Sequence, residues 1–301
     1  MDREKRAEYS QGTLNLDFGQ DPTSPAPAPK LERPDLPPNV LAGTSAFTAA
    51  GWQGTFYPND LPQRDYLRHY ATKFNTVEVD STYYRTPTPA TVKSWYDKTP
   101  SDFIFAAKVP QTVTHQKILV DCHPEIDEFL QAMSQLREKL GPLLLQFPYF
   151  GSEVFANAAE FLARLDAFLR RTQNTGVRFA VEIRNKNWLD VPFADLLRQH
   201  KVALALTDRG WMPRPHELAK KFDPITTDFT YVRWLGDRKG IEKITTTWDK
   251  TIVDRGADLQ EWVKYCTQVV RRGVRIYAYA NNHYAGHGPA TVKMFSDLWP
   301  K

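Results

Sequence analysis

The chain has 301 residues, 42% apolar and 13% aromatic, which is material for one large α/β domain or two ordinary ones with a sizeable core. Its 39 Lys and Arg against 35 Asp and Glu leave a formal net charge of +4, too balanced for the concentrated basic surface of a dedicated nucleic-acid binder. No apolar run approaches the ~18 residues of a membrane span, the start at Met1 lacks a secretory apolar stretch, and Cys122 and Cys266 have neither metal nor redox spacing, so a soluble cytoplasmic protein with free thiols is expected.

Residues 1–38 pass from mixed charge into Asp21-Pro-Thr-Ser-Pro-Ala-Pro-Ala-Pro-Lys30 and then Pro34, Pro37 and Pro38. That composition buries too little apolar area to offset its ordering entropy, and it predicts a flexible Pro-rich tail ahead of one domain over 39–301. From Val40 onward the pattern is regular. Strands are predicted over 40–45, 76–80, 103–108, 143–147, 178–184, 203–208, 229–235 and 275–281. Helices are predicted near 63–73, 88–98, 124–139, 153–172, 192–200, 258–272 and 288–299. Pro124 just inside a helix start and Gly141 after its end illustrate the usual asymmetry of helix termini. The Pro-broken region 211–227 holds at most a short helix around Glu217–Lys221. Alternating strands and helices, without hairpin dipeptides, indicate a parallel sheet. Eight repeats in this length fit a (β/α)8 TIM barrel. The open doubly wound alternative lacks its Gly-x-Gly-x-x-Gly fingerprint after the first strand.

Several strands carry charge on one face. In Arg178-Phe-Ala-Val-Glu-Ile-Arg184, Ala180, Glu182 and Arg184 share one side, and Phe179, Val181 and Ile183 the other. Charges on the helix-facing side of a barrel strand would be buried and unpaired, so parity assigns them inward. The inward set is then Glu78, Asp80, Lys108, Gln146, Glu182, Arg184, Asp208 and Arg233. Thr44 or Ser45, and Asn281 or Asn282, complete the ring. An ion-pair network that merely fills the barrel is the structural alternative. Convergence from several strand ends favours a pocket, since barrel enzymes keep their chemistry there. Glu182, Glu78 and Asp208 are the candidate acid/base residues, and Lys108, Arg184, Arg233, Gln146, Asn281 and Asn282 the candidate substrate-binding residues.

The loop after the first strand carries Trp52, Phe56 and Tyr57 between glycines, which reads as a lid or stacking wall for a flat or sugar-like ligand; a loop packing its own aromatics is the alternative. Before the last helix, Gly286 and Gly288 with Pro289 suggest converging backbone N–H groups and an anion site. His115, His283 and His287 show no metal-binding spacing, so no cofactor is evident and only a loosely held divalent cation is left open.

At these residues the chain resembles the family called domain of unknown function 72, or YecE-like. The likeness runs through Ala42-Gly-Thr-Ser45, Gly54-Thr-Phe-Tyr-Pro58, Phe74-Asn-Thr-Val-Glu-Val-Asp-Ser-Thr-Tyr-Tyr84 and Phe105-Ala-Ala-Lys108. It continues through Leu140-Gly-Pro-Leu-Leu-Leu-Gln-Phe-Pro148, Ala180-Val-Glu-Ile-Arg184, Trp188, Leu206-Thr-Asp208, Tyr231-Val-Arg233 and Asn281-Asn282. The resemblance implies a TIM barrel and implies no particular reaction. Three places depart from the family pattern: Ala46-Phe47 stands for Gly-Trp, Asp80 for asparagine, and Trp234-Leu235 for a segment ending in His-Gly.

The leading functional expectation is an enzyme acting on a polar, anionic or phosphorylated small molecule or sugar, including a two-carboxylate glycosidase reading. An endonuclease-IV-like nucleic-acid hydrolase ranks below it for want of the metal histidines. A non-catalytic ligand-binding or interaction protein recruiting through the tail ranks third. No membrane partner is expected.

Overall fold

The computed structural model describes residues 31–300. The strands are β1 (Val40–Thr44), β2 (Thr76–Val79), β3 (Ile104–Lys108), β4 (Leu140–Gln146), β5 (Phe179–Glu182), β6 (Ala203–Asp208), β7 (Phe229–Trp234) and β8 (Arg275–Ala280). All pair in parallel, in the order β1-β8-β7-β6-β5-β4-β3-β2. Parallel neighbours need crossover connections, and helices supply them. They are α1 (Tyr66–Lys73), α2 (Pro89–Asp97), α3 (His123–Met133), α4 (Ala158–Thr172), α5 (Val191–Gln199), α6 (Pro215–Leu218), α7 (Arg238–Glu242), α8 (Gly256–Arg271), α9 (Asn282–Ala285) and α10 (Gly288–Asp297). The (β/α)8 expectation is borne out. Local capping sets several starts: Thr88, Asn157 and Asp190 each accept a backbone N–H from three residues on.

Two buried layers make the core. Helix-facing residues such as Val77, Leu145, Val181, Val232 and Ile276 join the helices in one cluster. A second cluster fills the barrel: Leu41, Ala106, Leu144, Ala180, Ala203, Ala205, Phe229, Tyr231, Tyr277 and Tyr279. Large rings from β7 and β8 thus face small side chains from β3, β5 and β6, which lets the interior close at native density.

Some boundaries differ from expectation. The third helix stops at Met133 and continues as 3-10 turns to Lys139, with Arg137 at φ 49°. β4 starts earlier than expected, at Leu140, because Gly141 and Pro142 enter the strand. Residues 1–30 of the expected tail lie outside the described residues, but 32–38 are not a free tail. The Glu32 N–H donates to the Thr72 carbonyl at 2.8 Å, Arg33 donates to the Ala71 carbonyl and pairs with Asp102, and Leu36 packs on the core. These contacts move the start of the folded domain forward.

β1 and β2, the ends of the paired order, meet without a ladder among the described residues. Tyr70 of α1 bridges them instead: its hydroxyl accepts the Thr44 N–H at 2.8 Å and donates to the Thr76 carbonyl at 3.1 Å. Gly43 permits the close approach, since a Cβ there would sit 2.0 Å from the Thr76 carbonyl oxygen. Tyr70→Phe keeps the ring and strands two buried backbone groups, so it should cost about 1–3 kcal/mol. Urea unfolding should show a lower midpoint at unchanged slope.

Candidate functional site

Inward parity at the strand ends carries the charges. Arg233 of β7 is 2% exposed and reaches across the barrel to two carboxylates. Its Nε and one terminal nitrogen grip Glu78 of β2 in a fork at 2.9 and 2.8 Å, and its other terminal nitrogen binds Glu182 of β5. The Tyr231 hydroxyl donates to Glu78 at 2.7 Å. Burial alone would lower the Arg233 pKa, but Glu78 and Glu182 outweigh it and hold the guanidinium charged. For Glu182, burial pulls upward, and Arg233 and then Arg184 override it and keep the carboxyl below its ordinary value. Glu78 at 0% and Glu182 at 2% exposure form a sealed floor already bonded to Arg233 rather than a free acid and base.

Level with this floor and above it lies a ring of buried and half-buried polar side chains. Gln146 pairs in register with Glu182, and its amide donates to the Phe147 carbonyl. Arg184, just past β5, approaches Glu182 at 3.5 Å. Asp80 and Lys108 follow the paired Val79 and Ala107 of β2 and β3. Burial raises the Asp80 pKa, with Lys108 opposing. Burial and the Arg233 guanidinium lower that of Lys108. His115 sits in a π-helical turn after β3, its ring 5.0 Å from Tyr83 and its Nδ1 2.9 Å from the Thr114 hydroxyl. Burial, Arg184 and Lys108 push its pKa down to about 4.

Asp208 requires a correction. It pairs in register with Trp234, whose ring packs against Trp262 and Phe295, so it lies on the helix-facing side. There its Oδ2 takes bonds from Trp262 Nε1 at 2.8 Å, the Tyr284 hydroxyl at 2.9 Å and Arg214 at 2.9 Å, a set that compensates its burial. The inward residue is Arg209, two past Thr207, which pairs with Arg233. Burial and then Arg184 push the Arg209 pKa down to about 10, and its guanidinium stacks 4.3 Å over Trp211. The Nε atoms of both Arg184 and Arg209 are buried without an acceptor among the described residues. Sequence reasoning missed Arg209, although Ala203, Ala205 and Thr207 alternate with the larger Val202, Leu204 and Leu206 and point to it.

Other expectations are also corrected. Trp52 and Tyr57 are each 1% exposed, and Tyr57 stacks on Tyr66 with centroids 4.0 Å apart. The aromatic loop therefore packs its own rings and offers no stacking wall. Gly286 and Gly288 are buried, and their N–H groups already donate to the Asn282 carbonyl at 2.7 Å and its side-chain oxygen at 2.8 Å. The chain segment at Lys250 and Ile252 covers Gly286 as well, so no anion fits there. Asn282 further accepts Trp52 Nε1, and Asn281 donates to the Ser45 hydroxyl at 2.9 Å; both amides tie strand ends together. His283 bonds Asn281 and Glu242, and His287 packs on Trp52, so the three histidines do not converge. Among the described residues no group of three or more His, Cys, Asp or Glu side chains is placed to hold a metal.

A cavity of about 1030 Å³ opens on the flank between residues 32–38 and α10, remote from the strand ends. Its wall mixes Pro, Phe and Trp side chains with charged ones such as Arg33, Asp35, Lys73 and Lys293. Volume measures space, whereas chemistry needs converging polar groups, and these converge at the mouth.

Eight parallel strands closed around a packed interior, with charge gathered at their C-terminal ends, define a TIM barrel with a charged mouth. A model of the family described as "Protein of unknown function DUF72" matches residues 41–301, and the chain belongs to that family. It is similar to the UPF0759 protein YecE of Escherichia coli (strain K12), 42% identical over 82 residues that cover 27% of this chain and 30% of that protein. It is similar to the UPF0759 protein YunF of Bacillus subtilis (strain 168), 29% identical over 155 residues that cover 49% and 52%. The chain therefore spans only about a third and about half of these relatives in the matches. Two solved DUF72 proteins share the fold. The one from Thermotoga maritima MSB8 superposes with TM-score 0.65 at 24% identity, covering 86% of this chain and 97% of the other. The one from Enterococcus faecalis V583 gives 0.67 at 18%, covering 86% and 94%. No helix among the described residues is long and apolar enough to cross a membrane.

Replacing Arg233 by Met should leave two buried carboxylates without their partner and cost about 3–5 kcal/mol, measured by denaturant unfolding. For His115, a folded value of about 4 against 6.5 ordinarily means the unfolded chain gains the proton first as pH falls. Its contribution to stability should therefore decline from pH 6.5 towards 4, and wild type should lose stability faster than His115→Gln over that range.

Proposed function

We propose that this protein is an enzyme acting on a small anionic molecule, phosphorylated or sugar-like, bound at the C-terminal mouth of the barrel. The observation that carries this reading is the pair of guanidiniums, Arg184 and Arg209, whose buried Nε–H groups meet no acceptor among the described residues. Buried donors are ordinarily satisfied, so a site that orphans two of them on charged groups is short of an acceptor. Charge supports the same reading. The mouth gathers Lys108, Arg184, Arg209 and Arg233 against Glu78, Asp80 and Glu182, and burial favours the neutral form of Asp80. A bound oxyanion restores the balance, and paired guanidiniums suit a phosphate better than single lysines do. Glu78 and Glu182 then act by positioning Arg233 and fixing the local field. Two buried free cysteines suit a reducing, cytoplasmic setting.

Inorganic phosphate should bind one site, and Arg209→Gln should weaken it about tenfold or more by isothermal calorimetry. Bound phosphate should also shield His115 from Arg184 and Lys108, so the imidazole pKa seen by NMR should rise from about 4. Equal affinity in Arg209→Gln, with His115 unmoved by saturating phosphate, removes the proposal.

A further inference from the structure

Lysines are rarely buried unless paired. Lys139 shows the ordinary solution: 3% exposed, it donates to the Tyr96 carbonyl at 2.6 Å, the Thr99 carbonyl at 2.7 Å and the Thr99 hydroxyl at 3.2 Å. Lys108 has no such set. Among the described residues its ammonium closes no ion pair and no hydrogen bond, although Glu78, Asp80 and Glu182 all act on it electrostatically. Its Nζ stands 5.9 Å from the centre of the Tyr83 ring, and Arg233 has already claimed the two floor carboxylates. Beside it, Asp80 continues the same ladder pair and also closes no ion pair among the described residues. A half-buried amine is thus held between a saturated floor and the unsatisfied guanidiniums, with a carboxyl group at its side.

We propose that Lys108 is an imine-forming nucleophile and that the mouth takes small phosphorylated carbonyl compounds, a deepening that rests on the anion site of the preceding section. Arg184 and Arg209 hold the phosphate, which leaves the carbonyl end of a short substrate facing the amine. The neutral Nζ attacks the carbonyl carbon, the carbonyl π pair moves to oxygen, and one of the two amine protons passes from nitrogen to that oxygen. Asp80 in its acid form protonates that hydroxyl, the C–O bond breaks and water leaves. The nitrogen lone pair completes the C=N bond and its remaining proton passes back to Asp80. One water is released and no electrons are gained or lost. The environment is arranged for this step: burial and Arg233 lower the Lys108 pKa and enlarge its neutral fraction, and burial raises that of Asp80 towards the acid form.

The test is reductive trapping on the full chain. Dihydroxyacetone phosphate is the probe, sodium borohydride the reductant, and peptide mass mapping the readout. Unphosphorylated dihydroxyacetone, competing inorganic phosphate and Lys108→Arg form the other arms. The expected result is an adduct several-fold enriched at Lys108 over an exposed lysine such as Lys264, weaker without the phosphoryl group and suppressed by inorganic phosphate. Lys108→Arg should lose that adduct while still binding phosphate, which also shows that the variant folds. An adduct spread over surface lysines and absent from Lys108, with phosphate still bound in an Arg209-dependent way, overturns the nucleophile and leaves the anion site standing. Equal trapping at Lys108 by both ketones, untouched by phosphate, supports the nucleophile and overturns the anion site instead.

Discussion

Arg233 organises the barrel. Its guanidinium sits almost fully buried between β2 and β5, with all three nitrogens bonded to Glu78 and Glu182. A lone charge in that position would cost several kcal/mol, and so would either carboxylate. Together they satisfy one another, and the geometry then allows little freedom. β7 must stand opposite β2 and β5 at the height where three long side chains meet. The same saturation decides the character of the mouth. Because one cation consumes both floor carboxylates, the cations above it are left without full compensation.

Packing below the charges makes that arrangement rigid. Phe229, Tyr231, Tyr277 and Tyr279 occupy the barrel, and alanines on β3, β5 and β6 give them room. Two of these rings also carry hydroxyls to the polar layer: Tyr231 donates to Glu78, and Tyr279 shares a hydrogen bond with Thr76 at 2.9 Å. An apolar body with a polar tip lets one side chain serve both layers. The Tyr70 bridge at the β1/β2 seam follows the same logic. Functional groups above such a scaffold sit at a strand end or within two residues of one, which favours precise placement.

Much of the site was legible by parity. Glu78, Lys108, Gln146, Glu182 and Arg233 all lie on the inward faces that alternation assigns them, since burying a charge against a helix is expensive. Asp208 shows where the rule fails. A carboxylate may face the helices when donors are waiting, and Trp262, Tyr284 and Arg214 come from elements distant in sequence. The aromatic and glycine-rich loops failed for a related reason. Residue type alone does not separate a ring offered to a ligand from a ring packed on Tyr66, or a free N–H from one capped by Asn282.

By itself the sequence determined the eightfold alternation, the parallel barrel and the concentration of charge at strand ends, because hydrophobic periodicity and helix-capping chemistry are local. Only the tertiary structure decided which charges neutralise one another. It committed Glu78 and Glu182 to Arg233, turned Asp208 outward and brought Arg209 in beside Arg184. It also left Lys108 without an ion pair or hydrogen bond among the described residues and folded residues 32–38 onto the barrel. Each of these outcomes depends on donors and acceptors brought together from remote parts of the chain, and local pattern carries no record of those distances.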